Sequence, residues 1–478
     1  MSYQVPQNID PNKVFLVNRS EIEGRLDPSF YTKHFLDIID EIKKCERYNR
    51  LYQIARFSSE YWNQKDMYEN EFPYIEIGAL NIEDGRIEEV AYIPIENAPS
   101  RAKVIVRAND IIVSTTRPNR GAIVRITKDE NLFIASTGFS VIREINSSVN
   151  PDYLYMVLRL GFVLEQLSQR STGGNYPAIT QEELGKVFIP IPSLITQQKI
   201  VDYYNAAYNK KRQKDLQANT LLDSIDDYLL GELGIKLPEK KSQILQDRIF
   251  IVNRSVLENR LDPYYSQEYF RNAFEVLGAC KYSVVNLKEI SMLITSGITP
   301  KSGGDAYTED KSIGIPFIRS GNISIDGELN YDDLLYLKPE IHENVMSSSK
   351  LKKDDILIAI VGATIGQVGI YLSEGEANIN QAIALVRLKE GYNAQFVKEL
   401  IKSSIGQLSL NRLKRPVARA NINLEEISRI KVVLPPEEKQ EEIVEHITAI
   451  RQQAKVLQEE GKAILEQAKR EVEGMIIG

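Results

Sequence analysis

Three short segments of this chain carry side chains suited to reading nucleic-acid bases. TTRPNRG (115–121) holds Arg117, Asn119 and Arg120; SQRSTGGNYPAIT (168–180) holds Arg170, Thr172, Asn175 and Tyr176; NRLKRPVARANIN (411–423) holds Arg412, Lys414, Arg415, Arg419 and Asn421. Arginine presents a planar fork of donors that matches the paired acceptors of guanine, and asparagine or glutamine pairs with adenine; each good pair is worth about 1–3 kcal/mol of discrimination. Lys414 and Arg415 suit phosphate instead, which gives affinity without sequence information. A single arginine in such a loop is more often a solvated surface charge, so the reading rests on the clusters.

Bond-making chemistry is missing from the same inspection. The sequence has no phosphate loop, no Gly-x-Gly-x-x-Gly after a strand, no Cys-x-x-Cys and no His-Glu-x-x-His. Its histidines, His34, His342 and His446, are scattered, which argues against a zinc site. NPDY (150–153) lacks the second proline of the amino-methyltransferase signature and reads as a helix cap. The Glu-x-Lys triplets at 41–43 and 437–439 are common by chance. No catalytic residue and no metal ligand are expected, and a free-standing methyltransferase would need a cofactor pocket for which no sequence is found.

The elements that must position these loops occur twice. FLVNRSEIEGRLDP (15–28) returns as FIVNRSVLENRLDP (250–263), and ten of the fifteen pairs from position 14 to 28 are identical. The register continues: FPYIEIGALNIEDG (72–85) over IPFIRSGNISIDG (315–327), NDIIVSTTRPNRGAIV (109–124) over DDILIAIVGATIGQVG (354–369), STGFSVIR (136–143) over NQAIALVR (380–387), and AITQEELGKVFIPIP (178–192) over NINLEEISRIKVVLP (421–435). An internal repeat is sought before anything else because it sets the whole architecture. β-Branched runs bounded by glycine predict strands, and 3–4 spacing predicts helices at 150–169 and 394–413. The most apolar run, 356–372, is short and broken by glycine, and reads as a buried β-hairpin rather than a membrane span.

Each half ends in a long polar helix. Ile443, Ile447, Ile450, Ala454, Leu457, Gly461, Ile464 and Ala468 keep a strict 4–3 alternation, and Ile200, Tyr204, Ala207, Lys211, Lys214, Ala218, Leu221, Ile225 and Tyr228 do the same. A sustained pattern of this kind is a coiled-coil seam. Two seams in one chain predict an intramolecular antiparallel pair, about 50 Å long for some 35 residues at ~1.5 Å each. The expected organisation is a polar tail (1–13), a mixed α/β domain (14–193), a helix (194–233), a linker (234–248), a second α/β domain (249–436) and a second helix (437–478), related by a pseudo-twofold axis.

Composition fits a soluble chain of more than one core: 478 residues, 43% hydrophobic and 26% charged. The net charge of −7 speaks against nucleic acid only until it is located. Residues 195–239 hold 6 basic and 7 acidic side chains and residues 437–473 hold 6 and 10, so −5 of the −7 lies in the helices. Two cysteines, Cys45 and Cys280, sit at equivalent repeat positions; they predict small buried residues and a reducing cytoplasm rather than disulfides. No leader or membrane segment is expected.

The best candidates are positions where the two copies share scaffold but differ in chemistry. Glu76 faces Arg319, Ala79 faces Asn322, and Arg117, Asn119 and Arg120 face Gly362, Thr364 and Ile365. Lys301 in TPKSGG and Gln367 in TIGQVG complete the set. Residues kept alike, Asn18/Asn253, Arg19/Arg254, Arg25/Arg260 and Asp27/Asp262, point to capping and buried pairing.

RLDPSFY and RLDPYYS, PYIEIGALNIEDG and PFIRSGNISIDG, NDIIVSTTRPNRG and DDILIAIVGATIG, and the two strand-to-helix junctions NYPAITQEELGKVFIPIPSLITQQKIV and RANINLEEISRIKVVLPPEEKQEEIV resemble the specificity subunit of type I restriction–modification enzymes over nearly the full chain. That resemblance implies two target-recognition domains, an antiparallel coiled coil and a non-catalytic role. It also implies double-stranded DNA, two adenine-methylating subunits and endonuclease/translocase subunits as partners, with S-adenosylmethionine, ATP and magnesium used only by those partners. The target would be bipartite and asymmetric. The recognition chain of a related multi-subunit restriction system, and a DNA-independent scaffold, are the alternatives.

Overall fold

The computed structural model describes residues 16–17, 19, 22–63, 67–238, 251–253, 262–301, 305–414 and 421–478. They fall into two compact units, Met1–Asp215 with Gln458–Gly478, and Leu216–Leu457. Both units are mixed α/β.

In the first unit, Tyr48–Arg50 pairs antiparallel with Phe188–Pro190, joining the two ends of the globular part. Ala55–Ser58, Phe139–Ile145, Ile111–Ser114 and Ile123–Arg125 form one sheet in that order; Ala91–Pro94, Glu71–Ile75, Ile134–Ser136 and Ala102–Ile105 form another. Ile111–Ser114 is buried along its whole length, as a continuous β-branched run predicts. Helices Pro151–Leu158 and Gly161–Arg170 pack into a core with Leu51, Ile111 and Ile189.

The second unit repeats the plan. Ser283–Asn286 pairs with Lys431–Leu434. One sheet runs Ser291–Ser296, Ile383–Leu388, Asp355–Ala359, Val368–Tyr371, and the other Tyr307–Thr308, Leu335–Leu337, Ile315–Ile318, Asn378–Ile379. Asp355–Ala359 and Val368–Tyr371 are the buried hairpin expected at 356–372. Among the described residues no helix is long and apolar enough to cross a membrane.

A shared polar anchor explains much of the repeated sequence. Asn109 and Asp354 are both left-handed, φ 74° and 68°, a conformation these two residue types tolerate. The next residue is a buried aspartate in each case. Asp110 accepts from Arg143 at 2.8 and 2.9 Å and from the Arg107 amide at 2.7 Å. Asp355 accepts from Arg387 at 2.6 and 2.7 Å and from the Lys352 amide at 2.7 Å.

In the first unit Arg143 also reaches Glu60, and Arg107 grips Glu60 bidentately at 2.6 and 2.9 Å. The Arg107 hydrogen bonds, followed by those of Arg143, pull the Glu60 carboxyl down to about 2. A depressed carboxylate pKa means the unfolded chain binds more protons below the ordinary value, so this stabilisation is present above pH ~4.5 and is lost as pH falls toward ~2. Glu60→Gln should therefore flatten the pH dependence of unfolding in that window. Denaturant midpoints of both proteins across pH 2–5 check it.

The long helices are Leu194–Leu233 and Glu437–Ile477. In each unit the helix segments pair antiparallel: Tyr203 with Glu471 and Lys214 with Glu460 (2.6 Å) in the first, Glu232 with Lys439 (2.7 Å) and the Tyr228 and His446 rings 4.1 Å apart in the second. Ile200, Tyr204, Ala207, Ala218, Ile443, Ile447 and Gly461 are buried, and Leu221, Ile225, Ile450, Leu457 and Ile464 are half-buried.

Lys211 is buried at the seam because it pairs with Asp84 at 2.8 Å and Asp215 at 2.7 Å. Gly461 makes room for it: a Cβ there would stand 3.3 Å from Lys211 Cγ and 3.4 Å from its carbonyl oxygen. Gly461→Leu should force the helices apart and destabilise the first unit by about 1–3 kcal/mol, the range for overpacking. Chemical denaturation checks it; Gly461→Ala, which gains helix propensity as it tightens the contact, should fall nearer zero.

Three expectations are corrected. The repeated opening reads in sequence as the scaffold's first strand and turn; among its described residues in the first copy, 22–27 are irregular, followed by a 3-10 turn at Pro28–Tyr31 and helix Lys33–Lys44. Its polar side chains form ion pairs, Glu23 with Arg50 and Arg25 with Asp27, both at 2.9 Å, in place of a strand ladder. The helices expected at 150–169 and 394–413 are each two, because Leu160 and Ser403 are extended; Arg159 turns away to the carbonyls of Ile82 and Glu83 at 3.0 and 2.7 Å. Asn150 caps the first of them as expected, accepting from the amides of Asp152 and Tyr153. Cys45 and Cys280 are half-buried, not buried.

Candidate nucleic-acid interface

The hairpin tip of the first unit is held in an unusual backbone. After Ile111–Ser114 the chain reaches Arg117, left-handed at φ 47°, then a 3-10 turn, Pro118–Arg120, and Gly121 at φ 76°. The neighbouring loop, closed on itself by a main-chain bridge between Thr172 and Ala178, is joined to the tip by one between Thr116 and Ala178. The Arg117 amide donates to the Pro177 carbonyl at 2.7 Å. Its guanidinium donates to the Asn175 carbonyl at 2.9 Å and lies 4.3 Å over the Tyr176 ring.

Two segments that were singled out separately thus form one surface. Asn119, Arg120, Thr172 and Asn175 are exposed, and Tyr176 is 71% exposed. The patch offers a guanidinium already oriented by a ring, free amides and an aromatic face, which together can hydrogen-bond base edges, stack or neutralise phosphate. Glu76 is exposed ahead of the turn Ile77–Ala79. Ile77 packs toward Gly138, whose carbonyl accepts from both the amide and the hydroxyl of Thr115 at 2.8 and 2.9 Å.

Arg170 does not belong to this surface. It is 1% exposed, between Glu23 at 2.9 Å and Glu183 at 3.1 Å. It is the centre of a buried charge cluster under the opening segment, so its expected DNA role is withdrawn.

The second unit sets its hairpin tip the same way, Val361 bridging to Asn421 and the Ile422 amide donating to the Ile360 carbonyl at 3.0 Å. Thr364 is half-buried, Asn421 and Lys301 are exposed, and Gln367 is half-buried with its side-chain oxygen lacking a hydrogen-bond partner. Arg319 reaches the Asp333 carboxylate at 3.1 Å and its carbonyl at 2.8 Å.

Two further candidates serve the scaffold. Asn322 is buried and caps its own turn, accepting from the Arg319 amide at 2.9 Å. Arg412 donates to the Tyr265 carbonyl at 3.0 Å and stacks 3.9 Å over that ring and 5.1 Å from Phe274, so it pins the opening segment. Lys414 is half-buried, and burial pushes its ammonium pKa down. Arg415 and Arg419, like Asn18, Arg254 and Arg260, lie outside the described residues.

Sequence reasoning missed the joining of Arg117 to Tyr176. No periodicity links them; an arginine and an aromatic in two glycine-containing loops was the signal available.

The family model for the Type I restriction modification DNA specificity domain matches residues 50–220 and 281–467. The Type I restriction enzyme HindI specificity subunit of Haemophilus influenzae is 23% identical over 381 residues, covering 72% of this chain and 80% of that one. The Type I restriction enzyme EcoBI specificity subunit of Escherichia coli is 34% identical over 142 residues, 29% of each chain. A chain in a solved structure concerning assembly and conformational transition of the type I R-M system is 20% identical, with a TM-score of 0.48, over 90% of this chain and 96% of that one.

Proposed function

Because this chain belongs to the type I restriction modification DNA specificity family, whose model matches both halves, we propose that each of its units reads one half of a bipartite, asymmetric DNA target. The chain acts as the specificity subunit of a type I restriction–modification system. The paired long helices set the spacer and dock two methyltransferase subunits, and endonuclease/translocase subunits join the full complex. S-adenosylmethionine, ATP and magnesium act on those partners.

One observation carries this reading. Both units hold the hairpin tip with the same bridge, Thr116–Ala178 and Val361–Asn421, yet present different chemistry on it: Arg117, Asn119 and Arg120 in one, Gly362 and the half-buried Thr364 in the other, where the third position, Ile365, turns into the core. One frame with two sets of side chains suits two different half-sites. A DNA-independent scaffold would have no use for the exposed Arg120–Tyr176 surface.

The test is an exchange of residues 72–192 for the equivalent segment of another family member. The expected result is a new first half-site with the second half-site unchanged. A change in both halves would sink the modular reading. Alone, the chain should bind DNA weakly and with little sequence preference, since most of its negative charge lies in the helices and the partners must close around the duplex.

A further inference from the structure

The second unit contains a buried histidine that the base-reading surface does not use. His342 lies in the short helix Pro339–Glu343 and is 1% exposed. Its Nδ1 stands 2.5 Å from the side-chain oxygen of Asn378. The Asn378 amide nitrogen donates to the Met346 carbonyl at 2.9 Å and to Ser349 Oγ at 3.3 Å. This network turns the Asn378 oxygen toward the ring and assigns a hydrogen to Nδ1, so that the neutral ring carries its lone pair on Nε2.

That Nε2 is buried and has no hydrogen-bond partner. Facing it are two carboxylate oxygens, Glu376 Oε2 at 3.6 Å and Glu343 Oε1 at 3.7 Å. A lone pair against two anionic oxygens is repulsive unless a metal cation or a proton lies between them.

We infer that His342 Nε2, Glu343 and Glu376 bind a divalent transition-metal ion, zinc by their chemistry, which staples the Pro339–Glu343 helix to the strand Asn378–Ile379. Imidazole nitrogen and carboxylate oxygen are both zinc ligands, and three of them leave a fourth position open for water. Ligands about 2.1 Å from a tetrahedral ion stand about 3.4 Å apart, so the two separations from the ring need only a few tenths of an ångström of contraction, and the three ligand atoms lie within 4.8 Å of one another. The supporting shell is present as well. Asn378 fixes the histidine tautomer, and Lys350 Nζ holds the other oxygen of Glu343 at 2.7 Å, leaving Oε1 toward the ring.

The first unit shows that the fold does not require this polar group. Phe317 pairs with Asn378 in register as Tyr74 pairs with Ile134, and Ile134 is a fully buried core residue. The second copy therefore replaces an apolar core position with the asparagine that orients His342. The expectation of no metal site arose because the ligands come from separate segments, without the close spacing of a zinc motif.

The test uses the full-length chain, stripped with a chelator, dialysed and titrated with Zn²⁺. The expected result is one zinc per chain and a rise of several degrees in melting temperature, with no response to Mg²⁺ at the same concentration. Glu343→Gln with Glu376→Gln alters only the exposed rim, so the fold should stand while zinc affinity drops at least tenfold. His342→Gln should abolish binding. A wild-type chain that takes up no zinc, as it would if a proton on Nε2 satisfied the carboxylates, overturns the inference. So does a double variant that binds zinc as tightly as the wild type.

Discussion

Replacing Arg117 and Tyr176 together by alanine lowers the affinity of the assembled complex for its own target by tenfold or more, while affinity for unrelated DNA changes much less. The magnitude follows from the chemistry: one bidentate base contact is worth about 1–3 kcal/mol, and an exposed cation–π pair about 0.5–1 kcal/mol. Arg117 sits 4.3 Å over the Tyr176 ring and is bonded to the Asn175 carbonyl, so the pair also orders the loop that carries Thr172 and Asn175. The fold should survive, since Tyr176 is 71% exposed and Arg117 half-exposed. Arg117→Gly is the informative control. It keeps the left-handed backbone at φ 47° without a side chain, so a loss there belongs to the guanidinium. Titration of target and scrambled duplexes by fluorescence anisotropy checks both variants; equal losses on the two duplexes would mean the patch meets only phosphate.

Asp355→Ala should destabilise the second unit by about 3–5 kcal/mol, the usual penalty for leaving a buried charge without its partner. Asp355 is fully buried and accepts from Nη2 and Nε of Arg387, at 2.6 and 2.7 Å, as well as from the Lys352 amide. Removing it strands a half-buried guanidinium and an amide at the mouth of the hairpin. Asp355→Ala combined with Arg387→Met should recover much of the loss, because the charge is then gone from both sides. Denaturant unfolding of the three proteins gives the comparison. A loss under about 1 kcal/mol for the single variant would show that water reaches the site and the pair is a surface one.

The duplication was legible because the residues that hold the backbone recur in the same order, with only small slips in offset. Asn109 and Asp354 turn the chain, Asp110 and Asp355 anchor it, and the arginines that answer them stand at equal places in the aligned segments. The helix seams were legible for the same reason, since burial at Ile200, Tyr204, Ile443 and Ile447 repeats with the turn of the helix. What was not legible depends on partners distant in sequence. Leu160 is a good helix former, and nothing near it announces that Arg159 is drawn to the carbonyls of residues 82 and 83.

The site residues show the limit most clearly. Arg117, Arg170 and Arg412 look alike in sequence, each in a polar stretch near a loop. Glu23 and Glu183 bury Arg170, the Tyr265 and Phe274 rings hold Arg412, and Arg117 is left at the surface. Asn322 was assignable from sequence, since a polar side chain three residues into a tight turn is placed to reach back to the amide that opens it. The Glu76–Arg319 contrast between the copies stands as a difference in exposed or half-exposed chemistry on one frame.

The most direct test of the central claim is a genome-wide map of N6-methyladenine in cells carrying this chain with its methyltransferase partner, compared with cells lacking the chain. The reading predicts a split, asymmetric motif that disappears with the chain, and whose first half alone disappears in the Arg117/Tyr176 variant. An unchanged methylome in cells where the partner is shown to be active would contradict it, as would a motif lost symmetrically in both halves on changing only the first unit.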